Sequence, residues 1–260
     1  MPSRPAEPES TDPRGESQLW ITHQRRSAAS KGAHPMGAPP IDPGARPQQG
    51  FIHDHRWIQA ETFVTGLVLG AGGSRRLGRP KQLLAYGDRP LLEHALSTAR
   101  ESGFDQIVVP IGGAADEVRE RVDFTGADVV VNSSYGEGCS SSIAAALDAV
   151  NERCEVLVLM LGDQPGVTPA TVRALLGGRG DAPLAVCRYD DGRGHPIAFH
   201  HSVFSQLADL HGDKGVWRLL DERAADVVDV PVAGNVPLDV DTPEDYQAVL
   251  AQAGYTEVTA

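Results

Sequence analysis

The stretch that decides the fold runs from Val64 to Lys81 and reads V-T-G-L-V-L-G-A-G-G-S-R-R-L-G-R-P-K. It begins with an apolar, partly β-branched run, which is typical of a buried strand. Glycines, a serine and basic side chains follow. Because glycine adopts positive φ and lets backbone N–H groups approach an anion, this loop predicts a phosphate-binding site. Arg75, Arg76, Arg79 and Lys81 add charge that can neutralise phosphate oxygens.

Two common phosphate-binding motifs do not fit this loop. The dinucleotide-binding motif G-x-G-x-x-G, begun at Gly70, requires a glycine where Arg75 stands. A P-loop begun at Gly73 reaches Gly78 but lacks the Lys and the Ser or Thr that must follow. Taken alone, the loop is also compatible with a glycine-rich turn that has a solvated basic edge.

Composition restricts the possible partners. The chain has 260 residues, of which 41% are hydrophobic and 5% aromatic, enough for one α/β domain of ordinary size plus an extension. The formal net charge of −12 argues against a nucleic-acid or anionic membrane surface as partner. Anion binding at the basic loop must therefore be a local property.

Cysteine content and hydropathy bear on the compartment. The 3 cysteines are too few and too widely spaced for a zinc site or a disulfide framework: Cys139, Cys154 and Cys187. No apolar run approaches the length of a transmembrane helix. We therefore expect a protein of the reducing cytoplasm, with no membrane partner.

The chain divides into an extension and a domain. Residues 1–60 are rich in Pro, Ser, Gly, Arg and Glu without sustained periodicity, which predicts a disordered amino-terminal extension. Residues 61–256 alternate between strand and helix patterns and form the predicted domain.

The alternation of strands and helices predicts the architecture. The predicted strands are Phe63–Leu69, Gln106–Ile111, Asp128–Val131, Cys154–Leu161, Leu184–Cys187, Pro196–Phe199 and Val227–Val230. The predicted helices are Asp88–Ser102, Ala114–Val122, Gly138–Val150, one capped by Thr168, Ser202–Leu210, Gly215–Leu220 and one from Thr242 to about Gln252. We expect a three-layer, doubly wound α/β domain with a mostly parallel sheet and a ligand site at the carboxyl ends of its strands.

An aspartate stands where such a site would lie. Asp163 follows the apolar run that ends at Leu161, within the sequence G-D-Q-P. A carboxylate at this edge, close to nucleotide phosphates, is suited to hold Mg²⁺. A turn aspartate that binds local backbone N–H groups is an equally good interpretation of the position alone.

A second acidic segment lies near the carboxyl terminus. Residues 238–246 read L-D-V-D-T-P-E-D-Y, a good helix start with Thr242 as its cap. Helix capping does not require Asp239 or Asp241. These two residues would share one face of an extended segment, so Asp239 is the backup for any role that falls on Asp241.

Two further segments carry candidate binding residues. The run G-C-S-S-S at residues 138–142 opens a predicted helix, where Ser140 and Ser141 would ordinarily act as caps. His195 stands in the sequence G-H-P and, taken alone, is more typical of a structural histidine.

Together, these segments resemble the MobA-like nucleotidyltransferase family. The glycine loop is similar to the family's L-A-A-G-x-S-x-R-M-G-x-x-K. Residues 132–143 are similar to N-P-x-W-x-x-G-M-S-S-S-L, residues 194–196 to G-H-P and residues 212–220 to G-D-x-G-x-R-x-L-L. G-D-Q-P and D-T-P-E-D also match, and the matches run in order from Leu67 to Tyr246. The combination looks most like the molybdenum cofactor cytidylyltransferase branch, which implies a Rossmann-like fold of nucleotide-diphospho-sugar transferase type.

The resemblance implies a role for each matching position. It assigns Mg²⁺ to Asp163 and Asp241, and contact with the acceptor to His195. It assigns catalysis to Arg76, Lys81 and Asp163. It assigns nucleotide binding to Leu69, Gly70, Ala71, Gly72, Gly73, Ser74, Arg76, Lys81, Ser140 and Ser141.

The resemblance also implies the reaction. A nucleoside monophosphate, CMP from CTP in this branch, would pass to the phosphate of molybdopterin with release of pyrophosphate, and a molybdoenzyme would be the recipient of the product. Position 70 is glycine, which matches neither the cytidylyl branch nor the L-A-G-G of the guanylyl branch. GTP is therefore an alternative to CTP as the nucleotide donor. The matching segments are also compatible with a sugar or polyol phosphate as acceptor, and with a non-catalytic nucleotide-binding chaperone of a molybdoenzyme.

Overall fold

The described part of the chain, residues 62–256 of a computed structural model, is built around a seven-stranded sheet. In chain order its strands are β1 (Val64–Leu69), β4 (Gln106–Ile111), β5 (Asp128–Val131), β6 (Val156–Leu161), β7 (Leu184–Arg188), β8 (Arg193–His200) and β9 (Val227–Pro231). A separate short hairpin pairs β2 (Ala85–Tyr86) with β3 (Arg89–Pro90). The extension predicted for residues 1–60 lies outside the described residues.

The strand order is β5-β4-β1-β6-β8-β7-β9. Pairings β5–β4, β4–β1, β1–β6 and β7–β9 are parallel, whereas β8 runs antiparallel to both of its neighbours. The prediction of a mostly parallel, doubly wound sheet is therefore confirmed.

Helices cover both faces of the sheet. They are α1 (Leu91–Glu101), α2 (Ala115–Arg121), α3 (Cys139–Leu147), α4 (Pro169–Arg179), α5 (Phe204–Ala208), α6 (Gly215–Glu222) and α7 (Pro243–Ala253). Buried side chains of α1, α2 and α4 pack with Val68 on one face, and those of α3, α5 and α6 pack with Leu67 on the other. Successive residues of β1 thus point into opposite layers, as expected of a strand buried on both faces.

Two predicted helices differ from the observed ones. The helix predicted from Asp88 begins at Leu91, because Arg89 and Pro90 form strand β3 and Pro90 has extended backbone (φ −60°, ψ 148°). The helix predicted over 202–210 is a 3₁₀ turn at His201–Val203 followed by α5. The predicted strand at 196–199 is longer, so that β8 also includes His195.

The sheet places the glycine loop beside Asp163. Strands β1 and β6 pair in parallel with Leu69 opposite Leu161, so both end at the same edge. Gly162 follows β6 so closely against β1 that a Cβ there would lie 2.8 Å from the Leu69 carbonyl oxygen. The two segments that leave this edge are therefore neighbours in space.

Hydropathy of the helices adds one further observation. Within residues 62–256, every helix is too short or too polar to span a lipid bilayer.

Candidate active site

The loop after β1 has a defined conformation. Ser74 has a φ of +48°, the one positive φ of a non-glycine residue within residues 62–256. Its hydroxyl oxygen accepts a hydrogen bond from the backbone N–H of Lys81 at 2.8 Å, which fastens the two ends of the basic segment. Backbone strain of this kind persists where surrounding contacts hold it, as they do here.

Lys81 joins two carboxylates that are far apart in sequence. Its ammonium donates to Asp163 Oδ2 and, at 2.9 Å, to Asp241 Oδ1. The side chains of Lys81 and Asp163 are each 15% exposed. The two predicted metal ligands therefore converge at one point beside the loop, with a cation already between them.

The electrostatics of this cluster favour its charged form. Burial alone would lower the pKa of Lys81, but the charges and hydrogen bonds of Asp163 and Asp241 outweigh burial and raise it. Burial would raise the pKa of Asp241, but Lys81 and Arg76 lower it. Lys81 thus stays an ammonium and Asp241 a carboxylate across the physiological range.

Arg76 connects the loop to the carboxyl-terminal acidic segment. Its Nη2 donates to Asp241 Oδ2 at 2.7 Å. Asp241 thus binds Arg76 through one oxygen and Lys81 through the other. The two predicted phosphate-binding cations both contact the predicted metal site.

Asp239 is a third carboxylate at the same place. Burial, followed by the charge of Asp163, raises the pKa of Asp239 to about 6, although Gln164 donates a hydrogen bond to it. The backbone N–H of Val240 donates to the Asp163 carbonyl oxygen at 3.2 Å, so the segment that carries Asp239 and Asp241 lies beside Asp163.

The residues present fit a metal site that a nucleotide completes. Within residues 62–256, no group of three or more His, Cys, Asp or Glu side chains is arranged to hold an ion unaided. Mg²⁺ needs only one or two carboxylates when phosphate oxygens and water fill its other positions. The ammonium of Lys81 between Asp163 and Asp241 shows that the carboxylate pair accommodates a cation.

Carbonyl groups of the chain accept the hydrogen bonds of both predicted serines. Ser140 donates to the Gly212 carbonyl at 2.6 Å, and Ser141 to the carbonyls of Ser134 (2.9 Å) and Gly138 (2.8 Å). These bonds shape the start of α3, so contact of the two hydroxyls with a nucleotide stays a prediction.

Tyr135 stands where the family segment similar to residues 132–143 has Trp, and its ring lies against the glycine loop, although it was not among the predicted site residues. A Cβ added to Gly73 would lie 3.3 Å from its ring, and one added to Gly113 would lie 3.0 Å from it. A Cβ at Gly112 would lie 2.6 Å from the Ala71 carbonyl oxygen. The glycine pair directly after β4 is thus required for close approach, and that pair was the available signal.

His195 lies on β8 and stays uncharged. His195 is 8% exposed, and burial lowers the pKa of its imidazole to about 4. The imidazole meets the Trp217 ring edge-on, with centroids 5.6 Å apart. Because Ile197 pairs with Leu159, the same register brings His195 level with the end of β6, at the edge where Asp163 lies.

A family comparison and a relative agree with this geometry. The family model described as the MobA-like NTP transferase domain matches residues 66–227, more than half of the chain. The chain is 31% identical to nicotine blue oxidoreductase of Paenarthrobacter nicotinovorans over 198 residues, which cover 72% of this chain and 96% of that protein.

Solved structures give a higher identity. A homologue of Rv0371c from Mycobacterium sp. strain JC1 is 52% identical, with a TM-score of 0.70 over 74% of this chain and 96% of that one. Rv0371c of Mycobacterium tuberculosis H37Rv in complex with manganese is 47% identical, with a TM-score of 0.66 over 73% of this chain and 99% of that one.

Proposed function

Because the chain belongs to the MobA-like NTP transferase family, we propose that it transfers a nucleoside monophosphate from a nucleoside triphosphate to a phosphate acceptor. The observation that carries the proposal is the convergence of Asp163 and Asp241 on Lys81, beside the glycine loop. A loop that binds phosphates and a carboxylate pair that accepts a cation are the two components that phosphoryl chemistry requires.

In this proposal the loop holds the phosphates that leave. Backbone N–H groups from Ala71 to Ser74 bind the β- and γ-phosphates, and Arg76 and Lys81 neutralise their charge. Both cations contact the Asp241 carboxylate, so they lie on the side of the loop where the carboxylates converge.

Asp163 and Asp241 would hold the divalent ion, Mg²⁺ in our proposal. When bound, the ion would supply positive charge that stabilises the reacting phosphate. The structure of the related Rv0371c in complex with manganese supports the use of a divalent metal in this family. An oxygen of the acceptor phosphate attacks the α-phosphorus, the bond to the β-phosphate oxygen breaks, and pyrophosphate takes the electron pair. A phosphate nucleophile needs no general base at neutral pH, so the residues act by positioning and charge neutralisation.

For the acceptor we propose molybdopterin, and for the nucleotide CTP. The support is the combination of G-D-Q-P, G-H-P, the serine run and D-T-P-E-D. The uncharged imidazole of His195 can donate or accept one hydrogen bond with the acceptor substrate without adding charge to the site. A molybdoenzyme recipient and a cytoplasmic location are parts of the same proposal. GTP as donor and a sugar or polyol phosphate as acceptor are the competing substrates.

The likeness to nicotine blue oxidoreductase favours a second candidate. That relative is matched over 96% of its length, so a redox reaction on nicotine blue is the competing function. It predicts a change in nicotine blue absorbance when the protein is supplied with a redox co-substrate, without any nucleoside triphosphate.

A nucleotide panel tests the proposal. The full chain is incubated with CTP, GTP, UTP or ATP, with molybdopterin or a sugar phosphate, and with Mg²⁺ or Mn²⁺, and pyrophosphate is measured. We expect release with CTP and molybdopterin. Pyrophosphate release with another pair of nucleotide and acceptor would identify that pair as the substrates. Nucleotide binding without release for any acceptor would favour the non-catalytic chaperone, and nicotine blue turnover the oxidoreductase.

A further inference from the structure

We infer that Gln82 is a positioning residue that orients the phosphate-binding loop, an inference that rests on the proposed function. Gln82 follows Lys81 in a 3₁₀ turn, Lys81–Leu83, and is 4% exposed. Its side-chain Nε2 donates to the Gly70 carbonyl oxygen at 2.7 Å and to the Gly72 carbonyl oxygen at 2.9 Å. One buried amide therefore holds two peptide groups of the loop.

The direction of these two carbonyls determines where the loop's N–H groups point. In a planar trans peptide the C=O and the next N–H point in opposite directions. Because the carbonyls of Gly70 and Gly72 face Gln82, the N–H groups of Ala71 and Gly73 face away from it. The N–H groups of Ala71 and Gly73 are thus presented on one side of the loop, where both can donate to the same anion.

The amide orientation shows that Gln82 serves the loop by donating. Its Oε1 is buried and has no hydrogen-bond partner within the described residues. Rotating the amide by a half-turn would place this oxygen against the two carbonyl oxygens and remove both bonds. An unsatisfied buried acceptor is unfavourable, so the position is explained by the two donated bonds.

The same turn also positions the catalytic cation. The backbone N–H of Lys81 binds Ser74, and the Lys81 ammonium reaches Asp163. A Cβ on Gly72 would lie 3.2 Å from Lys81 Cε, so the loop packs against that side chain. Gln82 thus links the orientation of the N–H groups to the position of Lys81.

The test compares Gln82→Met, Gln82→Glu and a matched control, Gln106→Met. Methionine keeps the length of the side chain without donors, and glutamate directs a carboxylate at the two carbonyls. Gln106 is also an amide whose Nε2 donates to two oxygens, Asp128 Oδ2 and the Ala149 carbonyl, but it lies at the start of β4, away from the loop. Calorimetry with CTP and with inorganic pyrophosphate measures affinity, and thermal melting measures stability.

We expect affinity for both probes to fall about tenfold in Gln82→Met and further in Gln82→Glu, since two aligning hydrogen bonds are lost. The KM for the acceptor should stay within about twofold, since His195 is on another strand. Gln106→Met should change the melting temperature without changing affinity. The ranking Gln, Met, Glu in affinity, independent of melting temperature, is the signature of positioning.

The outcomes separate the inference from the proposed function. Equal affinity of wild type and Gln82→Met, or an equal loss in Gln106→Met, overturns the inference alone. Binding of CTP by wild type without pyrophosphate release overturns the proposed function, while the affinities still decide the role of Gln82. Failure of wild type to bind either probe overturns both.

Discussion

At the scale of single residues, Asp163 is the side chain on which the proposed chemistry most depends. It lies two residues after the end of β6 and shares Lys81 with Asp241. Loss of its carboxylate would leave Asp241 as the partner of both Lys81 and the proposed divalent ion.

For Asp163→Ala we expect pyrophosphate release to fall by about a hundredfold or more, because charge stabilisation at the α-phosphate is lost. Asp226→Ala is the control, since it also breaks an ion pair, with Arg223, but lies before β9 at the opposite edge of the sheet. Steady-state assays of both variants check the expectation. Near-normal turnover by Asp163→Ala would exclude it as a metal ligand.

The burial of His195 predicts that the stability of the protein depends on pH. The pKa of His195 is about 4 in the folded chain, against an ordinary value of 6.5, because burial disfavours the imidazolium. The unfolded chain therefore binds the proton first, so this histidine's contribution to stability is complete above pH 6.5 and is lost as the pH falls towards 4.

We accordingly expect the unfolding free energy of wild type to fall more steeply with acidity than that of His195→Gln. The difference in slope should be at most about 1.4 kcal/mol per pH unit. Urea denaturation at several pH values between 7 and 4 measures it, and parallel slopes would contradict a buried neutral histidine.

At the scale of elements, the start of α7 positions a predicted metal ligand. Thr242 and Asp245 form a capping box: the Thr242 hydroxyl accepts from the Asp245 N–H, and the Asp245 carboxylate accepts from the Thr242 N–H. The same carboxylate accepts from the backbone N–H of Asp241 at 3.2 Å. Helix capping and site geometry therefore depend on the same hydrogen bonds.

The matched pair Thr242→Ala and Thr168→Ala tests this coupling. Thr168 caps α4 in the same way, with proline at the next position and its hydroxyl bound to the Thr171 N–H. Each substitution should cost about 1 kcal/mol of stability. Only Thr242→Ala should also slow pyrophosphate release severalfold; equal activities at equal stability would separate the cap from the site.

At the scale of the whole molecule, the site joins segments from both halves of the domain. The glycine loop follows the first strand, whereas Asp241 precedes the last helix. A nucleotide and a divalent ion bound between them would bind only the folded chain, and would stabilise it by mass action.

We expect CTP at a hundred times its Kd, with Mg²⁺, to raise the unfolding free energy by about 2.7 kcal/mol. For a domain of this size the melting temperature would rise by roughly 5–10 °C. Scanning calorimetry with and without a chelator measures the effect. Equal stabilisation after chelation would show that binding does not use the metal.

Much of the fold could be predicted because its signals are local. The apolar run before the glycines, the run that ends at Leu161 and the Thr-Pro helix start are patterns within a few residues, and each forms the expected element. The helix start placed at Asp88 was wrong, because pairing of Arg89 and Pro90 with β2 overrode a helical apolar spacing.

The candidate site was only partly predictable. The sequence identified Asp163, Asp241, Lys81 and Arg76 as candidate site residues. It assigned the cations to phosphate and the acids to metal, and did not predict that the two sets contact each other. Gln82 was not predicted, since a glutamine after a lysine has no local signature of its own. Tyr135 was not assigned a role, although the glycine pair after β4, which its ring contacts, was an available signal.

The sequence by itself determined the class of fold, the glycine loop and which acids could act, because periodicity, turn residues and helix caps depend on near neighbours. Only the tertiary structure decided that Lys81 lies between Asp163 and Asp241, that Ser140 binds Gly212, and that Gln82 holds the loop. Those contacts arise from the order of the strands and the packing of the helices. They bring together residues whose separation along the chain does not indicate their distance in space.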